Sequence, residues 1–106
     1  MYPARAVKIF VIGAGQVGST IVEALHGEHN LTVIDLESSR LTPLAYKYDV
    51  ATVEANGASR RSLADAGIAD ADLVIACTSR DEANLVAATF ARIEIGRASC
   101  RERVLR

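Results

Sequence analysis

The stretch from Val7 to Gly18, VKIFVIGAGQVG, constrains this chain more than any other. A short apolar run, Val7 to Ile12, stops at Gly13, and Gly13, Gly15 and Gly18 follow in G-x-G-x-x-G spacing. Beyond them Ile21, Val22 and Leu25 recur at helical spacing. A strand, a tight glycine turn and a helix start form the first unit of a dinucleotide-binding fold. Gly13 turns the chain sharply off the strand. Gly15, without a Cβ, lets a pyrophosphate approach the backbone, and Gly18 lets the helix pack closely. The helix start offers free N–H groups and a partial positive charge to phosphates.

Glycine-rich turns are common, so the context decides. A second apolar run, Leu31 to Ile34, ends at Asp35, where an acid meets the ribose hydroxyls in this motif. The competing reading is a strand-to-helix turn that binds nothing, with Asp35 only capping the turn after its strand. A carboxylate there repels a 2′-phosphate, which favours NAD over NADP. Arg40 weakens that preference, because it is placed either to hold a phosphate or to sit in solvent as a helix charge.

The rest of the chain reads as alternating strands and helices, with Met1 to Ala6 as a short disordered lead. The first helix runs from Gln16 to about His26, with Gly27 as a left-handed C-cap. Ser38 or Ser39 caps the second helix, unless Pro43, tolerable only in a first turn, moves its start to Thr42. Leu41, Leu44, Ala45 and Tyr48 form its inner face. A third strand covers Val50 to Glu54, followed by a turn at Asn56, Gly57 and Ala58. Ser59 caps a third helix that stops at Gly67. Leu73 to Cys77 is a fourth strand, almost wholly apolar and therefore central. Asp81 and Glu82 open a fourth helix, whose buried side carries Leu85, Val86, Thr89 and Phe90. The reading is a Rossmann-like α/β fold: a parallel sheet of four to five strands with helices on both faces.

At 106 residues the chain is one domain, residues 1–95, with an atypical basic tail at 96–106 that reads as disordered or non-native. Half the residues are hydrophobic, which suffices for a core. A net charge of −1 gives no global field for nucleic acid. No apolar run approaches the ~20 residues that span a bilayer, and no signal peptide is visible. Cys77 and Cys100 lack metal-ligand spacing, and no metal site is expected. Cys77 reads as a buried free thiol in a reducing compartment, which points to the cytoplasm.

VIGAGQVGSTIVEAL, LTVIDLESSRL, VEANGAS and above all ADLVIACTSRDEAN resemble the TrkA-type N-terminal domain, also called RCK or KTN. The resemblance covers about residues 7 to 92. It implies a regulatory subunit domain of a bacterial potassium uptake system. It further implies NAD(H), or alternatively ATP or ADP, as ligand, a membrane potassium transporter subunit as partner, and a homo-oligomer. The location it implies is the cytoplasm, peripheral at the inner membrane face. Its ligand positions fall on Gly13, Ala14, Gly15, Gln16, Val17 and Gly18, then on Asp35 and Arg40. Asn56, Gly57 and Ala58, with Ser59, would border the adenosine. Thr78, Asp81 and Asn84 would lie near the nicotinamide or terminal-phosphate side.

No catalytic residue is expected. His26 and His29 follow the first helix, at the sheet edge remote from the glycine turn. Thr78 is as well placed to cap the fourth helix as to reach a ligand, and Asn84 either bonds across the cleft or faces solvent. Asp81 and Glu82 read as complements of the helix dipole rather than as an acid–base pair. The main rival is the cofactor domain of an NAD-dependent dehydrogenase. A second is an interaction domain with an empty cleft.

Overall fold

The computed structural model describes residues 6–80 and 84–95. Four strands form one parallel sheet: β1 (Lys8–Ile12), β2 (Asn30–Asp35), β3 (Ala51–Glu54) and β4 (Leu73–Ala76), in the order β3-β2-β1-β4. The connecting helices are α1 (Gln16–Leu25), α2 (Ser38–Lys47) and α3 (Arg60–Asp65), with a 3-10 turn at Ile68–Asp70. Residues 84–95 form a further helix, α4. Ile12 lies in register with Ile34 on one side and Ala76 on the other, and Asp35 pairs with Glu54. The carboxyl ends of all four strands therefore share one edge of the sheet.

Alternating side chains divide the core into two layers. Ile9, Val11, Leu31 and Val33 face α1 and α2, packing with Val22, Leu41 and Leu44. Phe10, Ile12 and Ile34 face the other way, onto Leu63, Ile68, Ala87 and Ala91. Both faces are thus covered, as a parallel sheet requires. Gly67, at φ +87°, ends α3, and Ser59 caps it by accepting the Ser62 N–H at 3.3 Å.

Four expectations need correction. Among the described residues β4 is an edge strand, and Leu73 is about half exposed. Its apolar run reflects packing on both faces, Ile75 onto one core layer and Val74 and Ala76 onto the other. Helix α2 begins at Ser38 and carries Pro43 in its interior, with Glu37 at the N-cap position. Asp35 accepts the Glu37 N–H at 2.8 Å, fixing the chain just ahead of that start. Gly27 is not left-handed; α1 ends through His26 in helical conformation, and the N–H groups of Glu28 and His29 both reach the Leu25 carbonyl. On α4 the buried residues are Ala87 and Ala91, with Phe90 and Ile95 partly buried, whereas Leu85, Val86 and Thr89 are exposed. The helix is rotated relative to the expectation, because two alanines approach the sheet more closely than leucine and valine allow.

Candidate functional site

The glycine turn leaves β1 at the shared carboxyl edge. Gly13 adopts φ +110°, and a Cβ there would lie 2.9 Å from the Cys77 carbonyl carbon and oxygen and the Thr78 nitrogen. Only glycine meets both conditions. Gly18 is buried at the first turn of α1, and a Cβ on it would strike the Gly13 carbonyl. Gly15, at the N-cap of α1, has no atom within 4 Å of the place a Cβ would take. No side chain caps α1, and its first turn holds no acidic residue. The first-turn N–H groups and the positive end of the helix dipole are thus left to the cleft. Gln16 and Val17 are exposed beside it.

Asp35 is buried at the end of β2 and reaches across to this turn. Its Oδ2 accepts the Ala14 N–H at 2.8 Å and its Oδ1 accepts the Glu37 N–H at 2.8 Å. Each oxygen keeps a lone pair for another donor. Asp35 therefore does cap the turn after its strand, and it also clips the glycine turn to β2. Arg40 lies 3.9 Å from Asp35 Oδ2 and 3.3 Å from Glu37 Oε2, with its side chain half exposed. Such an exposed pair contributes little stability, so the guanidinium is free to turn toward an anion.

The other two loops close in from either side. Asn56 Oδ1 accepts the Ala58 N–H at 2.9 Å and its carbonyl accepts the Ser59 N–H at 3.0 Å. Gly57 lies directly against Ile12, where a Cβ would strike the isoleucine side chain. The Asn56–Ser59 turn is thereby pressed onto the end of β1. After β4, Asn84 binds Thr78 through both its main chain and its hydroxyl. Asn84 thus faces its own loop. Asp81 and Glu82 lie outside the described residues.

A family model, the TrkA-N domain, matches residues 9–104. The chain belongs to the TrkA-N family. Curated relatives agree: the Trk system potassium uptake protein TrkA of Haemophilus influenzae is 48% identical over 82 residues. That alignment covers 76% of this chain and 18% of the relative. The protein of the same name from Vibrio alginolyticus is 42% identical over 86 residues, covering 80% of this chain and 19% of its own length. That of Halomonas elongata is 43% identical with the same coverage. This chain thus spans about a fifth of the length of these relatives. Among solved structures, the precorrin-2 dehydrogenase SirC shares the fold, at TM-score 0.60 and 13% identity, over 83% of this chain and 44% of that one.

The TrkA-N domain is a Rossmann-type dinucleotide-binding fold, and here its glycine turn, acid and two flanking loops converge on one edge. The histidines sit elsewhere. His29 Nδ1 accepts the Val7 N–H at 3.2 Å, ahead of β1, and His26 packs at a 44° tilt against Tyr48 with centroids 4.5 Å apart. Both are half-buried structural groups at the opposite edge. Sequence reasoning missed the place of Cys77 in the TrkA-N turn. Its Sγ lies 3.5 Å from the Gly13 carbonyl oxygen, and burial pushes its thiol pKa up. The side chain is half-buried under the turn rather than fully enclosed. Its position one residue past an apolar strand was the available signal.

Proposed function

We propose that this chain is the nucleotide-sensing domain of a regulatory subunit that controls a membrane potassium transporter, with NAD(H) as ligand and ATP or ADP as the alternative. The observation that carries the reading is Gly15: the uncapped start of α1, open above this residue, beside an acid that keeps lone pairs for a ribose. The pyrophosphate lies over Gly13 to Gly18, with Ala14, Gln16 and Val17 supplying backbone, and the ribose hydroxyls donate to Asp35. Arg40 borders the phosphates. Asn56, Gly57 and Ala58 border the adenosine, and Thr78, Asp81 and Asn84 lie on the far side of the ligand. The names of the curated relatives supply the transport context.

The domain works by binding, not by turnover. Ligands of different size or charge bias its geometry within a homo-oligomer, and that bias reaches the transporter at the inner face of the membrane. Such control requires different affinities for two states. No helix among the described residues is long and apolar enough to cross a membrane. A thermal-shift screen with NAD, NADH, ATP and ADP tests the proposal. A shift with at least one of them is expected, since a ligand at about a hundred times its Kd adds ~2.7 kcal/mol. No shift with any of the four would leave an empty interaction domain as the better reading.

A further inference from the structure

We propose that Asn84 is a positioning residue for the phosphate turn, acting through Thr78; this deepens the nucleotide-binding reading and rests on it. Asn84 directs its whole side chain at one residue. Its Oδ1 accepts the Thr78 N–H at 2.7 Å and the Thr78 hydroxyl at 2.6 Å, and its Nδ2 donates to the Thr78 carbonyl at 3.1 Å. The Thr78 hydroxyl also accepts the Arg80 N–H at 3.2 Å, and the Asn84 N–H donates to the Arg80 carbonyl at 3.1 Å. The start of α4 is thereby fixed to the end of β4 by both polar groups of a single amide.

The peptide held in this way is the wall behind the glycine turn. Gly13 lies so close to the Cys77–Thr78 peptide that a Cβ would approach three of its atoms to 2.9 Å. Cys77 closes the same contact from its other side: its N–H donates to the Ile12 carbonyl at 2.8 Å and its Sγ–H to the Gly13 carbonyl at 3.5 Å. That Gly13 carbonyl is in turn the group that leaves no room for a Cβ on Gly18. The chain of contacts runs from Asn84 to Thr78, to Gly13, to the first turn of α1, without slack at any link. Close-packed groups of this kind move together or not at all. A displacement of the start of α4 therefore shifts the phosphate turn, and a ligand that fixes the turn fixes the start of α4. The coupling is reciprocal by linkage. Direct ligand contact is a poorer role for this side chain, because its carbonyl oxygen already accepts two bonds and its amide already donates one.

The test uses the 106-residue chain, with amide exchange measured on the nucleotide-free protein and NADH affinity by fluorescence titration. Asn84→Ala should speed exchange at Gly13 and Cys77 about tenfold while leaving Val33 in β2 unchanged. NADH affinity should fall by about tenfold, the scale of one or two lost hydrogen bonds. Asn84→Asp keeps both acceptor bonds from Thr78, so its exchange rates should fall between those of wild type and Asn84→Ala. Unchanged exchange at Gly13 and Cys77 in Asn84→Ala would overturn the proposal. So would acceleration spread evenly over all strands, or lost NADH affinity with exchange unaltered, which would make Asn84 a direct ligand contact. A wild-type chain that binds no NADH would refute the nucleotide reading instead, while the exchange pattern would still decide the buttress.

Discussion

A methyl group added at Gly15 meets no atom within 4 Å, whereas one added at Gly18 lands on the Gly13 carbonyl. The two positions therefore separate binding from folding. Gly15→Val should keep the thermal midpoint near that of the wild type yet abolish NADH binding in a calorimetric titration. Gly18→Ala should cost about 1–3 kcal/mol, the usual scale of overpacking, read as a lower urea midpoint. Asp35 combines the two roles. Asp35→Ala should weaken NADH by about tenfold to a hundredfold, the worth of charged hydrogen bonds to the ribose. NADPH should lose little, because the carboxylate already repels its 2′-phosphate. The same substitution strips the Ala14 N–H of its buried acceptor, which costs about 1–3 kcal/mol of stability. Titrations must therefore be run below the lowered melting range. A wild type that binds NADPH as tightly as NADH would refute the ribose role.

Helix α4 shows where periodicity misleads. Leu85 and Val86 are apolar and three to five residues from Thr89 and Phe90, so they draw the expected buried stripe onto themselves. The structure buries Ala87 and Ala91 instead, and ties the helix to α3 through Arg60, whose Nε–H donates to Glu94 at 2.9 Å. Alanine carries a weak hydrophobic signal but permits the closest approach of helix to sheet, a tertiary preference invisible in a single sequence. Ala87→Leu should therefore destabilise by about 1–3 kcal/mol, while Leu85→Ala, at 70% exposure, should change the urea midpoint little, within about 0.5 kcal/mol. The reverse ranking would return the helix to the orientation expected from its pattern. The first strand, the glycine turn and the Ser59 cap were legible for the opposite reason: local chemistry alone dictates them. Gly13 needs φ above zero, and Ser59 satisfies an N–H three residues on. The Asn84–Thr78 bonds and the Cys77 contact were not legible. They depend on which loops the sheet order brings together.

At the scale of the molecule, the sheet order gathers the glycine turn, Asp35, the Asn56 turn and Thr78 at one edge and sends both histidines to the other. This separation bears directly on catalysis. Hydride transfer to a carbonyl needs a proton donor within hydrogen-bond reach of the substrate oxygen. Among the described residues at the ligand edge, Asp35 holds two backbone N–H groups and Glu37 pairs with Arg40. The Cys77 thiol lies under the turn, directed at the Gly13 carbonyl. Neither histidine shares this edge, and its buried acid, Asp35, is already bonded to two backbone N–H groups. Asp81 and Glu82 lie outside the described residues. The full-length protein that contains this domain should therefore bind NADH yet show no steady oxidation of it with common aldehydes, ketones or 2-oxo acids. The full-length protein is the proper subject, because this chain spans only about a fifth of its relatives and a donor on another domain must be given its chance. Sustained NADH oxidation with a defined small substrate, abolished by Gly15→Val, would replace the sensor with a dehydrogenase. Binding without turnover, abolished by the same substitution, is the outcome expected of a domain that reads a nucleotide and passes the reading on.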